Sequence, residues 1–476
     1  MKSFYITTTL PYVNAEPHIG FAFEIVMADA IARYHRDELK REVFFSTGTD
    51  EHGLKIYQKA LALGQNPLDY VTEYAEKFLF LKTKLGIHED LNFIRTTNPL
   101  HIKAAMELWT RCFSNGYIYK KKYKGLYCVG DEAFVKETEL VDGRCPNHQN
   151  LELQEIEEEN YFFNLMALKK DLEKCLEKRH EIKPEWAKVQ ANRFLENLED
   201  ISISRDKSKM PWGIPVPNDD TQVMYVWFDA LTNYISTLGW PDNEALFEKF
   251  WVEGETLQLA GKDQVRFQSI IWQAMLLAAE LEPTKEVLYH GFITSDGRKM
   301  SKSLGNVLSP DDLIKKYKTD GARYLLLRHV HPIEDTDITP ERLDEWYEAH
   351  LVNGLGNLVS RIMKLAEDNL TEKSNWDSTT GYRFDGHLKE KMDEARVDLA
   401  MEWIWTKIGL LDRDIQEKKP WESKDKEVIK NLVLNLYRIG RMLRPFMPET
   451  SKIIIDATQN NKKPENLFPR LNAQVF

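Results

Sequence analysis

The stretch SFYITTTLPYVNAEPHIGFAFEIVMADAIARYHRD, residues 3–37, decides the fold. Its first seven residues are β-branched and aromatic, LPYVNAEPHIG supplies Pro, Asn and Gly, and from Phe21 apolar residues recur at helical spacing with Asp, Glu and Arg on the other face. The expected order is strand, loop, helix. A second strand, EVFFSTG at 42–48, runs into DEHG and another helical stretch, so the N-terminal part alternates as an α/β unit with a parallel sheet does. Ligands of such sheets collect beyond the carboxyl ends of the strands, where LPYVNAEPHIG and GTDEHG both fall.

Outward from this core the texture changes twice. From Gly116 the chain reads YIYKKKYKGLYCVGDEAFVKETELVDGRCPNHQN, short strands and turns carrying a Cys/His pair, which is the pattern of an inserted small domain. The α/β texture returns near Pro215 with MYVWFDALTNYIS, the strand TLQLAGKD, an apolar helix around FQSIIWQAMLLAAEL, and VLYHGFIT leading into SDGRKMSKSLGNVLSP. After His350 almost every segment is a helical pattern, with Leu, Ile and Met stripes and Trp403, Trp405 and Trp421 among charges. The expected fold class is therefore α/β: a Rossmann-type parallel-sheet domain in two halves, 1–115 and 215–295, split by a small β-rich connective insertion at 116–214. A linking segment at 296–350 then leads to an all-α bundle at 351–476.

Composition agrees with a globular chain of several domains. Of 476 residues 42% are hydrophobic and 29% charged, which excludes disordered and collagenous classes. Four Cys in so long a chain make no disulfide framework, and Cys112 and Cys175, in helical patterns, read as core thiols. The N-terminus has no long apolar region, and no segment reaches the about 20 apolar residues that cross a bilayer, so no membrane association and a cytoplasmic location are expected. The net charge of −11 argues against indiscriminate coating of nucleic acid. The helical end, with 21 Lys/Arg against 19 Asp/Glu over 351–476, is the half less repulsive to a polyanion.

Two motifs carry chemistry. Pro17-His18-Ile19-Gly20 lies on the strand-to-helix turn, where a helix N-terminus offers unpaired N–H groups and partial positive charge to phosphate, and His18 can add a hydrogen bond. A His before a Gly at such a turn also serves simply as a cap. Lys299-Met300-Ser301-Lys302-Ser303, followed by Leu304-Gly305-Asn306, puts two lysines and two hydroxyls on a loop able to close on a polyphosphate and neutralise charge on a departing pyrophosphate. A pentapeptide of that kind is far more specific than the first motif.

Together they resemble the signature pair of class I aminoacyl-tRNA synthetases. Thr9-Leu10-Pro11-Tyr12, Gly48-Thr49-Asp50-Glu51-His52-Gly53, Tyr225-Val226-Trp227-Phe228-Asp229-Ala230, Gly261-Lys262-Asp263 and His290-Gly291-Phe292 extend the resemblance to the methionyl-tRNA synthetase family, essentially from end to end. The resemblance implies ATP-dependent attachment of L-methionine to tRNA(Met) through methionyl-adenylate, releasing AMP and pyrophosphate, with Mg2+ accompanying ATP. It implies His18, Lys299 and Lys302 as catalytic groups, and Pro17, His18, Gly20, Lys299, Ser301 and Lys302 as the ATP site. Methionine offers an ammonium that wants a carboxylate and a thioether that wants a polarizable wall. Asp50 matches the ammonium position, Leu10, Tyr12, Trp227, Ala230 and Tyr234 match the lining, and Gln264 and Gln268 stand at the pocket floor. The resemblance breaks at Phe21, where the first signature usually has a second His; at Gln264 and Gln268, in place of an aliphatic residue and a His; and at Leu231, often Pro. Gln268 can still offer an N–H to the thioether sulfur.

The family's zinc knuckle survives here as Cys128-x-x-Asp131 and Cys145-x-x-His148. Two thiolates, an imidazole and a carboxylate form an acceptable tetrahedral set, but Asp is unusual in a structural zinc site, so a metal-free, hydrogen-bonded knuckle stands beside the zinc reading. In the bundle, Asn357 and Arg361 lie four apart on one helix face, and Trp421 follows Pro420 after two lysines. These match the family's anticodon contacts, Trp421 stacking and Asn357 and Arg361 reading the CAU bases, whereas without the family Trp421 would be a buried Trp between helices. Little chain follows Leu467-Phe468-Pro469-Arg470 to hold an appended dimerising domain, and a monomer is expected. Three other readings compete: the same class with another amino acid, a tRNA-binding paralogue without catalysis, and a free-standing nucleotidyltransferase. The short insertion disfavours relatives with large editing domains, the intact His18, Asp50, Lys299 and Lys302 disfavour a mere binder, and a nucleotidyltransferase has no need of the helical bundle.

Overall fold

The computed structural model describes residues 2–130, 133–135, 139–146, 148–295, 297–299, 308–373, 376 and 384–471. It resolves into two compact units: Met1–Glu16, Val43–Phe80 and Asp90–Tyr289 form the first, and Pro17–Glu42, Leu81–Glu89 and His290–Phe476 the second.

The first unit is built on a six-stranded sheet in the order Leu91–Arg95, Val43–Thr49, Phe4–Thr7, Glu255–Gly261, Glu286–His290, Glu181–Lys183. Phe4–Thr7 lies parallel to Val43–Thr49 on one side and to Glu255–Gly261 on the other. The chain thus works outward from the first strand, then returns to its opposite flank. Such a reversal leaves a crevice at the carboxyl ends of the two central strands. Gly48 is required by close packing: a Cβ there would come 1.9 Å from the Ile94 carbonyl oxygen. One core contains Trp109, Phe228, Trp251, Trp272 and Tyr289.

The segment expected as an insertion is β-rich at its start. Ile118–Cys128 and Gln154–Phe163 form a long antiparallel ribbon, flanked by Ala133–Val135 and Ile201–Ser202. Residues 122–124 of the basic run pair with 157–159 of the acidic run, and Lys124 Nζ reaches diagonally to Glu155 at 2.7 Å, so cross-strand charge pairing draws on both. Within the same 116–214 segment, however, Glu181–Lys183 pairs in parallel with Glu286–His290 and becomes the outer strand of the main sheet. His180, just ahead of it, is buried, donating from Nδ1 to the Thr284 carbonyl at 2.8 Å with Nε2 3.1 Å from Ser269 Oγ. Burial lowers its pKa to about 4.

In the second unit the helix Ile19–Arg33 departs from the amphipathic expectation. It is buried nearly all round, including the acids Glu24 and Asp29. Glu24 accepts from His290 Nε2 at 2.8 Å. Asp29 accepts from Arg33 Nε and Arg323 Nη2, each at 2.7 Å, and from the His88 N–H at 2.8 Å. Arg323, fully buried, also donates to the carbonyls of Phe446, Leu85 and Pro445. The polar face therefore exists, but it meets buried cations rather than water.

The rest of this unit is a small sheet, Arg298–Lys299, Ile293–Ser295 and Thr336–Asp337, and a C-terminal set of helices. Lys426–Leu443 illustrates the helices. Asp425 caps it by accepting from the Glu427 and Val428 N–H groups, and Ile429, Leu432, Val433 and Leu436 form its buried stripe. No helix among the described residues is long and apolar enough to cross a membrane.

Burial alone would raise the Asp29 carboxyl, but Arg323, Arg33 and the His88 N–H hold it below the usual carboxylate range. Its contribution to stability is therefore complete above the ordinary Asp pKa and is lost as pH falls through the lower folded value. Asp29→Asn, which removes the negative charge facing the buried Arg323 guanidinium and the partly buried Arg33 one, is expected to destabilise the protein by about 3 kcal/mol in urea unfolding, and the Asp29→Leu, Arg323→Met pair by less than the single change.

Candidate active site

Three segments of the first unit end at the sheet's carboxyl edge. Leu10 and Tyr12 follow the first strand, Asp50 follows Val43–Thr49, and Gln264 and Gln268 follow Glu255–Gly261. Asp50 and Tyr12 form a parallel bridge: the Asp50 N–H donates to the Pro11 carbonyl at 3.0 Å, and the Val13 N–H to the Asp50 carbonyl at 3.1 Å. The ladder thus carries the carboxylate one step past the strand end, and Asp50 is buried. Trp227 and Ala230 share the short helix Val226–Leu231, and the half-buried Trp227 stacks on Phe267 at 3.8 Å and 14°. Phe267 was not singled out by sequence, although it immediately precedes Gln268.

Tyr234 is buried against Trp272, and its hydroxyl accepts from Gln268 Nε2 at 2.6 Å. Gln268 Oε1 is buried and unbonded among the described residues. Gln264 is partly exposed and bonds Asp263, its neighbour, at 3.0 Å. Leu231 belongs to the core. Arg205 is a further group that sequence reading passed over. It is nearly fully buried over the Tyr225 ring at 4.4 Å, a cation beside the segment carrying Trp227.

The first signature motif lies in the second unit. His18 is the N-cap of Ile19–Arg33, its Nδ1 accepting from the Gly20 N–H at 3.1 Å and the Phe21 N–H at 3.3 Å. The capping role and a ligand role are compatible: with Nδ1 accepting, the neutral ring holds its proton on Nε2 as a donor. Gly20 keeps the turn tight, since a Cβ would meet the His18 ring at 3.0 Å. Pro17 is half-buried and Phe21 is core, so the departure at Phe21 fills space. Lys299 ends the strand Arg298–Lys299, after a turn in which the Gly297 N–H donates to Asp337 at 2.7 Å. Ser301 and Lys302 lie outside the described residues, as does Asp131.

Cys128, Cys145 and His148 come together as the spacing suggested. His148 Nδ1 lies 3.8 Å from Cys128 Sγ and 3.9 Å from Cys145 Sγ, and all three ligand atoms fall within 4.8 Å of one another. Around tetrahedral zinc, sulfur and nitrogen ligands stand about 3.5 Å apart, so these donors fit the ion with small inward movement. Both thiols are buried, and Gly130 has no room for a side chain because a Cβ would lie 2.3 Å from the His148 ring. Cys112 and Cys175 are buried core thiols whose pKa values burial raises.

In the helical part, Asn357 is exposed at the start of Asn357–Asn369 and Arg361 is one turn on, donating to Asp412 at 2.9 Å. Trp421 is 42% exposed on the short helix Pro420–Ser423, between Lys419 and Lys424, both at positive φ. The alternative of a buried Trp between helices belongs instead to Trp405, 8% exposed. Pro420 is buried and anchors the turn.

The model of the family described as tRNA synthetases class I (M) matches residues 4–160 and 148–363. A methionine–tRNA ligase of Thermotoga maritima is 38% identical over 485 residues, covering 97% of this chain and 76% of that protein. The chloroplastic/mitochondrial methionine–tRNA ligase of Arabidopsis thaliana is 42% identical over 83% of this chain and 65% of its own length. Among solved structures, Mycobacterium tuberculosis methionyl-tRNA synthetase in complex with methionyl-adenylate superposes with a TM-score of 0.87 at 35% identity, covering 96% of this chain and 94% of that one.

Trp421→Ala is expected to leave stability within about 0.5 kcal/mol of the parent in urea unfolding, whereas Trp405→Ala costs about 3 kcal/mol.

Proposed function

This chain belongs to the methionine branch of the class I tRNA synthetases, and on that premise we propose that it joins L-methionine to tRNA(Met) through a methionyl-adenylate intermediate, releasing AMP and pyrophosphate. The observation that carries the reading is the convergence of Tyr12, buried Asp50 and the segment bearing Gln264 and Gln268 at the carboxyl ends flanking the sheet's reversal. A buried carboxylate suits an ammonium, and the stacked Trp227 and Phe267 with Tyr234 and Leu10 suit a thioether.

ATP enters as its Mg2+ complex. The methionine carboxylate attacks the α-phosphorus in line and pyrophosphate departs, so the protein contributes position and charge rather than a nucleophile. Pro17, His18 and Gly20 bind the nucleotide, with His18 donating from Nε2 to the reacting phosphate. Lys299, Ser301 and Lys302 hold the leaving pyrophosphate, the two lysines neutralising the charge that grows on it. The adenylate carbonyl is then attacked by a ribose hydroxyl of the terminal adenosine, expelling AMP. Trp421 stacks on an anticodon base, Pro420 fixes the turn that presents it, and Asn357 and Arg361 hydrogen-bond base edges. The catalytic residues thus belong to 1–115, 215–295 and 296–350, the connective insertion to 116–214, and anticodon binding to 351–476. The enzyme works as a cytoplasmic monomer. Cys128, Cys145 and His148, with Asp131 as the fourth candidate by spacing, would hold a zinc ion that would serve structurally by cross-linking the knuckle, and a metal-free, hydrogen-bonded knuckle stands beside that reading.

Amino-acid-dependent exchange of labelled pyrophosphate into ATP, run over all twenty amino acids, tests the reading. Exchange with methionine alone, abolished in Lys302→Ala, is expected; exchange with another amino acid, or with none, overturns it. For the knuckle, elemental analysis is expected to find one zinc per chain and to lose it in Cys145→Ser; a metal-free parent protein would refute the zinc assignment.

A further inference from the structure

Asp229 sits in YVWFDAL two residues after Trp227 and next to Ala230, and its side chain is fully buried. Both carboxylate oxygens are engaged. Oδ2 lies 2.6 Å from His52 Nδ1, and Oδ1 lies 2.8 Å from His101 Nε2. A carboxylate can only accept, so His52 carries a proton on Nδ1 and His101 on Nε2. His101 Nδ1 lies 2.8 Å from Ser236 Oγ, within hydrogen-bond reach. One carboxylate therefore ties together the loop after Val43–Thr49, the helix Pro99–Ser114, its own helix Val226–Leu231 and, through His101 and Ser236, the short helix Asn233–Ser236. Burial would raise the Asp229 carboxyl, but the two imidazoles hold it below the usual range.

His52 is two residues from Asp50, and Glu51 between them is held just as firmly. Glu51 is fully buried and accepts from Arg95 at 2.7 and 3.0 Å, from Thr49 at 2.6 Å and from Thr97 at 2.5 Å. Its backbone N–H donates to Thr96 Oγ1, and its carbonyl accepts from Trp212 Nε1 at 2.7 Å. The Trp212 ring in turn lies against His52 at 5.5 Å. Asp50 is thus carried on a segment whose next two side chains are both anchored in the interior. Only the anchor through His52 leads to the helix that carries Trp227 and Ala230.

We propose that Asp229 is a positioning residue for methionine: through His52 it fixes Asp50, and through its own helix it fixes Trp227 and Ala230, so that the ammonium site and the side-chain wall keep one spacing. The inference rests on Asp50 being the ammonium carboxylate. A methionine molecule touches both ends of that spacing at once, so a shift between them acts on its binding before it acts on ATP.

The test is methionine-dependent pyrophosphate exchange, with KM for methionine and for ATP measured separately, on variants whose folding is verified by thermal unfolding. Asp229→Asn puts an amide N–H where an oxygen accepted, so one imidazole loses its acceptor or changes tautomer. It is expected to raise KM for methionine about tenfold, given that a misplacement of 1 Å costs up to about a hundredfold, and to leave KM for ATP unchanged. His52→Asn, whose amide N–H replaces that of Nδ1, is expected to stay near the parent, while His52→Leu matches Asp229→Asn. These two variants carry the test if Asp229→Asn does not fold. In the Asp50→Asn background, Asp229→Asn is expected to add little, because both act on one contact. A folded Asp229→Asn with parental KM for methionine, equal rises in both KM values, or effects that multiply in the double variant would overturn the proposal. If Asp50→Asn itself leaves KM for methionine unchanged, the ammonium assignment fails and this inference with it. If Asp50→Asn raises KM and neither Asp229→Asn nor His52→Leu does, this inference alone fails.

Discussion

The pairing of Phe4 with Glu255 is the constraint on which the first unit depends. Parallel strands cannot be joined by a tight turn, so any chain that puts these two side by side must leave the sheet and come back. Here the excursion is long enough to hold two further strands on one flank, a ribbon of its own, and a return to the outer edge at Glu181–Lys183. Both central strands point their carboxyl ends the same way. That is why residues as distant as Tyr12, Asp50 and Gln268 are delivered to one edge, and why the segments beyond the strands, rather than the strands themselves, carry the chemistry.

A second regularity runs through both units. Glu51, Asp229 and Asp29 are each almost wholly buried, and each is met by cations, imidazoles, hydroxyls or, at one Asp29 oxygen, a backbone N–H that account for its oxygens. Such groups are costly to desolvate, and removing one partner is far worse than never having had the pair. They differ in kind from exposed pairs such as Lys124 with Glu155, which contribute about 0–1 kcal/mol. What the buried carboxylates supply is direction. Each has fixed acceptor positions, so the segments they join have one acceptable arrangement.

Strand, loop and helix at the N-terminus were legible because β-branched runs, Pro and Gly punctuation and helical spacing are local signals. The clustering of Cys128, Cys145 and His148 was legible because their spacing is short. What escaped was set by distant partners. Glu181–Lys183 is three residues long with no alternation of its own, and it becomes a strand only because Glu286–His290 is there to pair with it. The acids of Ile19–Arg33 read as a solvent face since nothing nearby in sequence announces His290 or Arg323 as their partners. Phe267 is one more aromatic in an apolar helix until Trp227 is found stacked on it. Gly130 carries no signal except its neighbours, yet the His148 ring occupies the space its side chain would need.

The pairing of Asp29 with Arg323 has a consequence for how the chain is made. The two residues are 294 positions apart, so during synthesis at about 5–20 residues per second the helix that bears the first signature waits about 15–60 s for the cation that neutralises it. Over that interval its buried face, Phe21, Phe23, Ile25 and Val26 among them, has no completed interior to enter. A helix made long before Arg323 is therefore completed only after it, and a nascent chain arrested before Arg323 emerges leaves Asp29 without that partner and this apolar face uncovered, a surface of the kind chaperones bind.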